Sequence, residues 1–235
     1  MNKMLSNIKI GVKMAIGFGV AILLLGVILV KALGSFSDIN DQVNLITDDL
    51  FPKTVLANEM INAVNDNARA LRNMLLSNDP TVREETMKRF DWAKGVVDKN
   101  YAKLTEMIKS EKGKDLLAKF NKIRFDEYFP ARKRIIAEYD AGNLEKAKEL
   151  LLGEMRISQN NYINALSDII NYQTELVDKA GVTAQEIVDT EQVEMVIISL
   201  SSLIFIFVFG WFITRNISVP VNQVKERMSQ LESVC

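Results

Sequence analysis

Two long apolar blocks dominate the pattern of hydrophobic and polar positions along the chain. The first runs from Met14 to Val30 and the second from Met195 to Thr214, and neither contains a charged residue. An α-helix needs about 20 apolar residues to cross the hydrocarbon core of a bilayer. The second block meets this length, and interfacial apolar residues extend the first. The pattern therefore predicts two transmembrane helices, 14–34 and 193–214, although the first block also resembles a cleaved signal peptide.

Charged residues next to the two blocks predict the orientation of the chain. Basic residues precede the first block and follow the second, whereas aspartates follow the first. Because basic flanks stay in the cytoplasm, we expect a cytoplasmic N-terminus at 1–13, an extracytoplasmic segment at 35–192 and a cytoplasmic segment at 215–235. The basic residues are Lys3, Lys9, Lys13, Arg215, Lys225 and Arg227.

The segment between the blocks has the periodicity of amphipathic helices interrupted by three short turns. The turns are expected at 77–80, 110–113 and 140–143, where Ser, Asn, Asp, Gly and Pro cluster. Four helices joined by tight turns predict an all-α fold, an antiparallel up-down four-helix bundle flanked by the two transmembrane helices. Apolar residues at alternating steps of three and four form the expected seams. These are Ile61, Val64, Ala68, Leu71 and Leu75 on the first helix, and Tyr162, Leu166, Ile169 or Ile170, and Leu176 on the last.

Two prolines lie inside predicted helices. Pro130 should kink the third helix, because proline lacks the N–H that the helix needs and its ring clashes with the preceding turn. Pro52 predicts an irregularity of the first helix near the membrane.

Composition argues against catalysis and nucleic-acid binding. The 29 basic residues balance 30 acidic ones, so the chain has no overall basic footprint for nucleic acid. It contains no histidine, no Gly-rich phosphate loop and no Cys/His cluster. Its one cysteine, Cys235, forms no intrachain disulfide. We therefore expect no enzyme activity, no cofactor and no bound metal.

A polar stripe lies beside the seam of the first helix. Asn65, Arg69 and Arg72 share this line at helical spacing. Guanidinium groups bind carboxylates through two parallel hydrogen bonds, so these residues are candidates for binding a small organic anion. The alternative is an ordinary solvated helix face.

The start of the fourth helix is unusually rich in amides. Arg156 and Tyr162 lie in this stretch and are further ligand-binding candidates, whereas asparagines at seam positions can instead fix the register of the bundle. The amides are Gln159, Asn160, Asn161 and Asn164.

Several local patterns resemble the amino-terminal half of bacterial methyl-accepting chemotaxis receptors with a four-helix-bundle ligand-binding domain. Arg69–Leu76 precedes the Ser77–Pro80 turn as the arginine-containing first helix of the family precedes its first turn. The stretch Tyr139–Asn143 resembles the family's third turn, and Leu50-Phe51-Pro52 resembles its proline after the first span. Beyond the second block, Ile217–Val221 resembles the start of a HAMP linker.

This resemblance implies a homodimeric receptor of the bacterial inner membrane, crossing it more than once, with a periplasmic sensor domain. It implies a ligand site near the membrane-distal dimer interface and a small piston-like shift of the last helix. Arg72 matches one of three arginines that bind aspartate in some members, whereas Ala63 and Ala68 occupy the other two positions. The incomplete match argues against a simple amino acid and leaves another small anion, or an unrelated ligand, open.

The output of the module stays open in the sequence. The chain ends about twenty residues after the second block, which predicts a truncated HAMP linker and a missing C-terminal domain that contacts cytoplasmic chemotaxis proteins. The same input could serve a histidine kinase or a diguanylate cyclase, and a ligand-free membrane scaffold is the third alternative.

Overall fold

The computed structural model describes residues 10–232, with side chains described at 11–215 and 224–229. This part of the chain is helical and contains no strand. The helical segments are α1 (Ile10–Asn44), α2 (Phe51–Leu76), α3 (Thr81–Met107), α4 (Glu111–Ile123), α5 (Phe129–Asp140), α6 (Leu144–Leu150) and α7 (Arg156–Glu232).

Three π-helical turns join neighbouring segments into longer helices. They are Leu45–Leu50 between α1 and α2, Arg124–Tyr128 between α4 and α5, and Leu151–Met155 between α6 and α7. The seven segments therefore form four continuous helices, and we call them the first to the fourth helix. They span residues 10–76, 81–107, 111–140 and 144–232.

Both internal prolines directly follow a π-helical turn. The N–H of Phe51, before Pro52, donates to Ile46 O, and the N–H of Phe129, before Pro130, donates to Arg124 O. These bonds span five residues instead of four, which widens the helix where the proline ring would otherwise clash. The irregularity predicted at Pro52 is thus confirmed as a widened turn, whereas at Pro130, where a kink was predicted, the structure shows a widened turn within a continuous helix.

The first and third turns of the bundle lie where the sequence predicted them, whereas the second, at 108–110, overlaps the predicted 110–113 only at Ser110. In the first turn, the Asp79 carboxylate accepts a hydrogen bond from the N–H of Thr81 at 2.9 Å. In the third turn, Gly142 takes a φ of +80°, a conformation that glycine adopts without strain. The second turn is shorter than predicted, because Ser110 caps the third helix and Gly113 already lies inside it.

One compact unit, Gln42–Val182, is a four-helix bundle. All four helices contribute buried side chains to one hydrophobic core. Four of the five predicted seam residues of the first helix are buried there, and Ile61 is partly buried. On the fourth helix the core line runs through Leu166 and Ile169 to Gln173, so Leu176 is only half-buried.

A second unit combines the residues before Gln42 with those after Val182. It contains the apolar stretches of two helices that, within the described residues, are long and apolar enough to cross a membrane. Lys31 of one donates to Glu194 of the other at 2.6 Å. The Arg215 guanidinium lies 5.3 Å from the Trp211 ring at the end of the second apolar block.

Some predictions fall where the structure offers no test. Lys3, Lys9 and Cys235 lie outside the described residues. The backbone of 217–221, which resembles a HAMP linker, is helical, but its side chains are not among those described.

Candidate ligand-binding site

The predicted arginine stripe lies on the outside of the bundle. Arg69 is exposed and donates to the Asp66 carboxylate at 2.7 Å. Arg89 of the second helix donates to the other oxygen of Asp66 at 3.0 Å. The two guanidinium groups hold the pKa of Asp66 below its usual range, chiefly through the hydrogen bond from Arg69, although burial opposes this effect. Arg69 is therefore already paired with a carboxylate of the chain itself.

Arg72 is the arginine of the stripe for which the described residues show no ion pair. Its Nε donates to Ala68 O at 3.3 Å within its own helix, and its side chain is exposed. Asn65 is half-buried on the same helix. On this surface an anion would find the Arg72 guanidinium without a carboxylate partner, whereas that of Arg69 is already paired with Asp66.

The residues of the fourth helix that were predicted to bind a ligand lie in different environments in the structure. Arg156 is exposed, whereas the Tyr162 side chain is 1% exposed in the core. Asn161 donates to Glu127 of the third helix at 2.8 Å, so at least one amide of this stretch binds another helix. The structure does not bring Tyr162 together with the exposed arginines.

Tyr162 belongs to a buried aromatic cluster. Its ring centroid lies 4.9 Å from that of Phe120 in an edge-to-face arrangement and 4.8 Å from that of Tyr128. Burial raises the pKa of both tyrosines, which are therefore neutral hydroxyls at physiological pH.

A buried arginine lies beside this cluster. Arg124 is 2% exposed, and its guanidinium donates to the Asp98 carboxylate of the second helix. Lys94 also donates to Asp98, at 2.7 Å. Burial raises the pKa of Asp98, but the hydrogen bonds from Lys94 and Arg124 outweigh that effect and leave the pKa lowered. One carboxylate thus serves two cations.

A second arginine, Arg132, lies two turns further along the third helix. Its guanidinium carbon lies 4.5 Å from the centroid of Phe90 and 5.0 Å from that of Phe129. Contacts of this kind stabilise a cation on an aromatic face. Among the residues that the structure describes, no carboxylate lies within ion-pair distance of Arg132. Burial lowers its pKa, as expected for a charge removed from water.

Four polar atoms here are buried with no partner in good hydrogen-bond geometry: Asn67 Oδ1, Arg124 Nε, Tyr128 Oη and Arg132 NH1. Although burial raises the pKa of the Tyr128 hydroxyl, Asn67 lies close enough for its amide to lower that pKa, so the two arginine donors are the ones left without any partner. The residues that carry the four atoms line a small opening of about 10 Å³, which is room for roughly one water molecule. We call the residues Asn67, Arg124, Tyr128, Arg132 and Tyr162 the inner chamber. Three of these atoms, Arg124 Nε, Tyr128 Oη and Arg132 NH1, carry a hydrogen that they can donate. The chamber therefore favours a ligand with hydrogen-bond acceptors.

Of the inner chamber, the sequence predicted only Tyr162. A signal for the others was present, because Arg124, Tyr128 and Arg132 recur every four residues on the line that contains Phe120. An arginine on an apolar seam indicates a buried charge, which proteins keep only with compensation. Asn67 has no comparable signal, since it belongs to a helix with many polar positions.

The described residues hold no group of carboxylates, histidines or cysteines arranged to bind a metal ion. The candidate sites of this chain are therefore the outer stripe, where Arg72 is exposed, and the cationic inner chamber.

In a comparison with protein families, residues 7–188 match the four-helix-bundle sensory module for signal transduction. This range contains all four helices of the bundle and the first apolar block. In a comparison with curated proteins, no match was found. The helical architecture and the extent of the match agree with the resemblance seen in the sequence. The chain belongs to the four-helix-bundle sensory module family of methyl-accepting chemotaxis proteins.

Proposed function

We propose that this chain is the input module of a transmembrane chemoreceptor, which senses a small molecule outside the cell and passes the signal to a cytoplasmic output. The observation that carries the proposal is the combination of a sensory bundle with two span-length apolar helices in one chain. The bundle supplies a surface for ligands, and the apolar helices supply a route through the membrane. In this proposal the chain acts without enzymatic chemistry of its own.

The backbone offers a path for the signal. The fourth helix contributes Tyr162, Leu166 and Ile169 to the bundle core and continues without a break to Glu232. Gly181 is the only glycine between Arg156 and the second apolar block, and no proline interrupts that stretch. A shift of the fourth helix along its axis would therefore be transmitted along a single helix.

The ligand we propose for the outer surface is a small organic acid that binds Arg72. Its guanidinium is exposed, whereas Arg69 is engaged by Asp66. A homodimer would place two copies of the first helix near each other and complete such a site with the partner's side chains. The periplasmic location of the bundle, its insertion into the inner membrane and its signalling to chemotaxis proteins belong to the same proposal.

A hybrid receptor tests this function. The chain is fused at its C-terminus to the cytoplasmic signalling domain of a chemoreceptor, and kinase activity in cells is measured during exposure to a panel of organic acids. We expect at least one acid to change kinase activity. Arg72→Ala should raise the concentration needed for half the response by about tenfold or more, because a charge-assisted hydrogen bond is lost.

Lys103→Ala provides the matched control, since Lys103 is an exposed cation of the second helix outside both candidate sites. A response that Lys103→Ala and Arg72→Ala weaken equally would contradict a site at Arg72. A hybrid that is inserted in the membrane but answers to no compound would contradict the receptor function and favour a scaffold.

A further inference from the structure

The charges around the inner chamber do not balance. The third helix brings Arg124 and Arg132, and the second helix adds Lys94. Against these three cations stands the single carboxylate of Asp98, which pairs with both Arg124 and Lys94. Asp91 acts on Arg132 only through its longer-range charge. The first and fourth helices contribute the neutral residues Asn67 and Tyr162.

Only part of this positive charge lies in the protein interior, because Lys94 is exposed and Arg132 is half-buried, whereas Arg124 is buried and paired with Asp98. Arg124 is 2% exposed and Tyr128 is 1% exposed, and Asn67 is 5% exposed. A cation removed from water without a counter-ion is costly, and aromatic faces compensate only part of that cost. The unpartnered Nε of Arg124 and NH1 of Arg132 both belong to guanidinium groups that carry this charge. One negatively charged ligand could accept hydrogen bonds from both atoms and neutralise the unpaired positive charge.

The local backbone positions these donors. Arg124 begins the π-helical turn of the third helix and Tyr128 ends it. The extra residue in such a turn rotates the side chains before it relative to those after it, and π-helical turns are frequent at functional sites. The widened turn therefore lies at the chamber itself.

We propose that the inner chamber binds one small monovalent anion, a halide ion or the oxygen of a small carboxylate, between Arg124, Arg132 and Tyr128. The opening of about 10 Å³ has room for roughly one carboxylate oxygen, and the larger chloride ion requires a small outward movement of the surrounding side chains. The site differs from the outer surface at Arg72 and does not depend on it. Its occupancy would tie the third helix to the core of the bundle.

Thermal unfolding of the full chain in detergent micelles, followed by circular dichroism, tests this site. Sodium chloride, sodium formate and sodium acetate are each titrated against sodium HEPES at constant ionic strength. Binding to the folded state alone raises the melting temperature. We expect a rise of about 3–6 °C at ten times the dissociation constant for at least one of the three anions.

The identity of the responding anion assigns its source. Stabilisation by chloride with little effect of acetate indicates an inorganic ion enclosed in the chamber. Stabilisation by formate and acetate without chloride indicates an organic acid whose carboxylate enters the opening. If none of the three anions raises the melting temperature above the HEPES baseline, the chamber holds water and the proposal is wrong.

Two substitutions distinguish an anion site from a purely structural role. Arg132→Met removes the charge and keeps the apolar stem, so it should abolish the anion response without lowering the melting temperature in HEPES. A purely structural arginine would lower that temperature in every buffer. The matched control is Lys133→Met, which removes the neighbouring exposed cation and should keep the full response.

Asn67→Asp gives an independent test should Arg132→Met fail to fold. It supplies a carboxylate within the chamber, so the melting temperature in HEPES should rise and the added anions should no longer act. A fall in melting temperature in HEPES combined with an intact anion response would overturn the proposal. Because binding is measured on the chain itself, failure here leaves the receptor function testable in the hybrid, and failure of the hybrid leaves this site testable.

Discussion

At the scale of single residues, the pair of Arg124 and Asp98 is strongly asymmetric. The Arg124 side chain is 3% exposed, whereas that of Asp98 is 43% exposed and also binds Lys94. Asp98→Asn would leave a buried guanidinium without its counter-ion, and we expect a loss of about 3–5 kcal/mol of stability. Arg124→Met would leave Asp98 hydrated and paired with Lys94, so the expected loss is about 1 kcal/mol.

Urea unfolding of the two variants in detergent micelles measures this difference. Lys94→Met serves as the control, because it removes the exposed partner of Asp98 and should cost less than about 1 kcal/mol. Equal losses of stability for Asp98→Asn and Arg124→Met would show that water solvates the Arg124 guanidinium. That result would contradict the buried position of Arg124 in this structure.

Asp66 makes a prediction about acid stability at the same scale. Its pKa is lowered in the folded state by Arg69 first and Arg89 next, while burial opposes them. A lowered carboxyl pKa stabilises the fold at pH values above the unfolded pKa, and this contribution is lost as the pH falls through the folded pKa. The window therefore begins below about pH 4.

We expect Asp66→Asn to lower stability by about 0.5–1 kcal/mol at pH 7 and to cost progressively less as the pH falls below about 4. Melting temperatures of the two proteins, measured between pH 7 and pH 2.5, would approach each other in acid. A constant gap over this range would contradict the role assigned to the two arginines.

Residue chemistry also determines how much of the candidate sites the sequence could predict. The exposure of Arg69, Arg72 and Arg156 follows from polar positions beside an apolar seam. The pairing of Asp66 with Arg69 follows from their i,i+3 spacing on one helix. The second pairing of Asp66, with Arg89, could not be predicted, because it depends on the register between the first two helices. The inner chamber was missed for the same reason, since its charge excess results from side chains of different helices.

At the scale of helices, two glycines make opposite predictions. A Cβ at Gly113 would lie 2.4 Å from Ile108 Cγ2 and 2.9 Å from Ser110 Oγ, whereas a Cβ at Gly95 would meet nothing within 4 Å. Both lie inside helices, where alanine is intrinsically favoured by about 1 kcal/mol. Gly95→Ala should therefore stabilise the chain by up to about 1 kcal/mol. Gly113→Ala should destabilise it by about 1–3 kcal/mol, because the buried Ile108 has to move.

Denaturant midpoints of the two alanine variants, measured side by side, show whether each substitution raises or lowers the stability of the chain. A stabilising Gly113→Ala would mean that Ile108 and Ser110 adjust freely, and that the third helix does not need glycine for its close approach at the second turn.

The helices were predictable because their signals are local. The turns at 77–80 and 140–143 carry Asp-Pro and Ala-Gly-Asn, which cap or terminate a helix within a few residues. The sequence predicts Gly113 in a turn, but in the structure this glycine lies inside the third helix, where a Cβ would collide with Ile108. That close approach is not visible in the sequence. The prolines indicated irregular helices, but whether a helix kinks or widens depends on packing that the sequence does not display.

At the scale of the whole molecule, the two apolar blocks contrast with the bundle. Ile204 is 65% exposed and Val208 is 56% exposed, and they belong to a long apolar stretch of the fourth helix. Apolar surface of this extent is unstable in water, and a bilayer is the environment that would cover it. The family match and this surface are together consistent with a membrane protein. Crossing of the membrane by the second block is the step that our functional proposal needs most.

Paired lysine substitutions test that step. The double variant Ile204→Lys/Val208→Lys places two charges in the second apolar block, each costing about 2.5–3.5 kcal/mol at the centre of a span. With alkaline phosphatase fused to the C-terminus, the unmodified chain should be inactive, because the proposed orientation places its C-terminus in the cytoplasm. The double variant should be active, because the second span fails and the C-terminus is exported. Val182→Lys, an exposed apolar position outside the block, is the control and should leave the fusion inactive. An active fusion of the unmodified chain would reverse the proposed orientation, and it would remove the route by which the bundle reaches a cytoplasmic output.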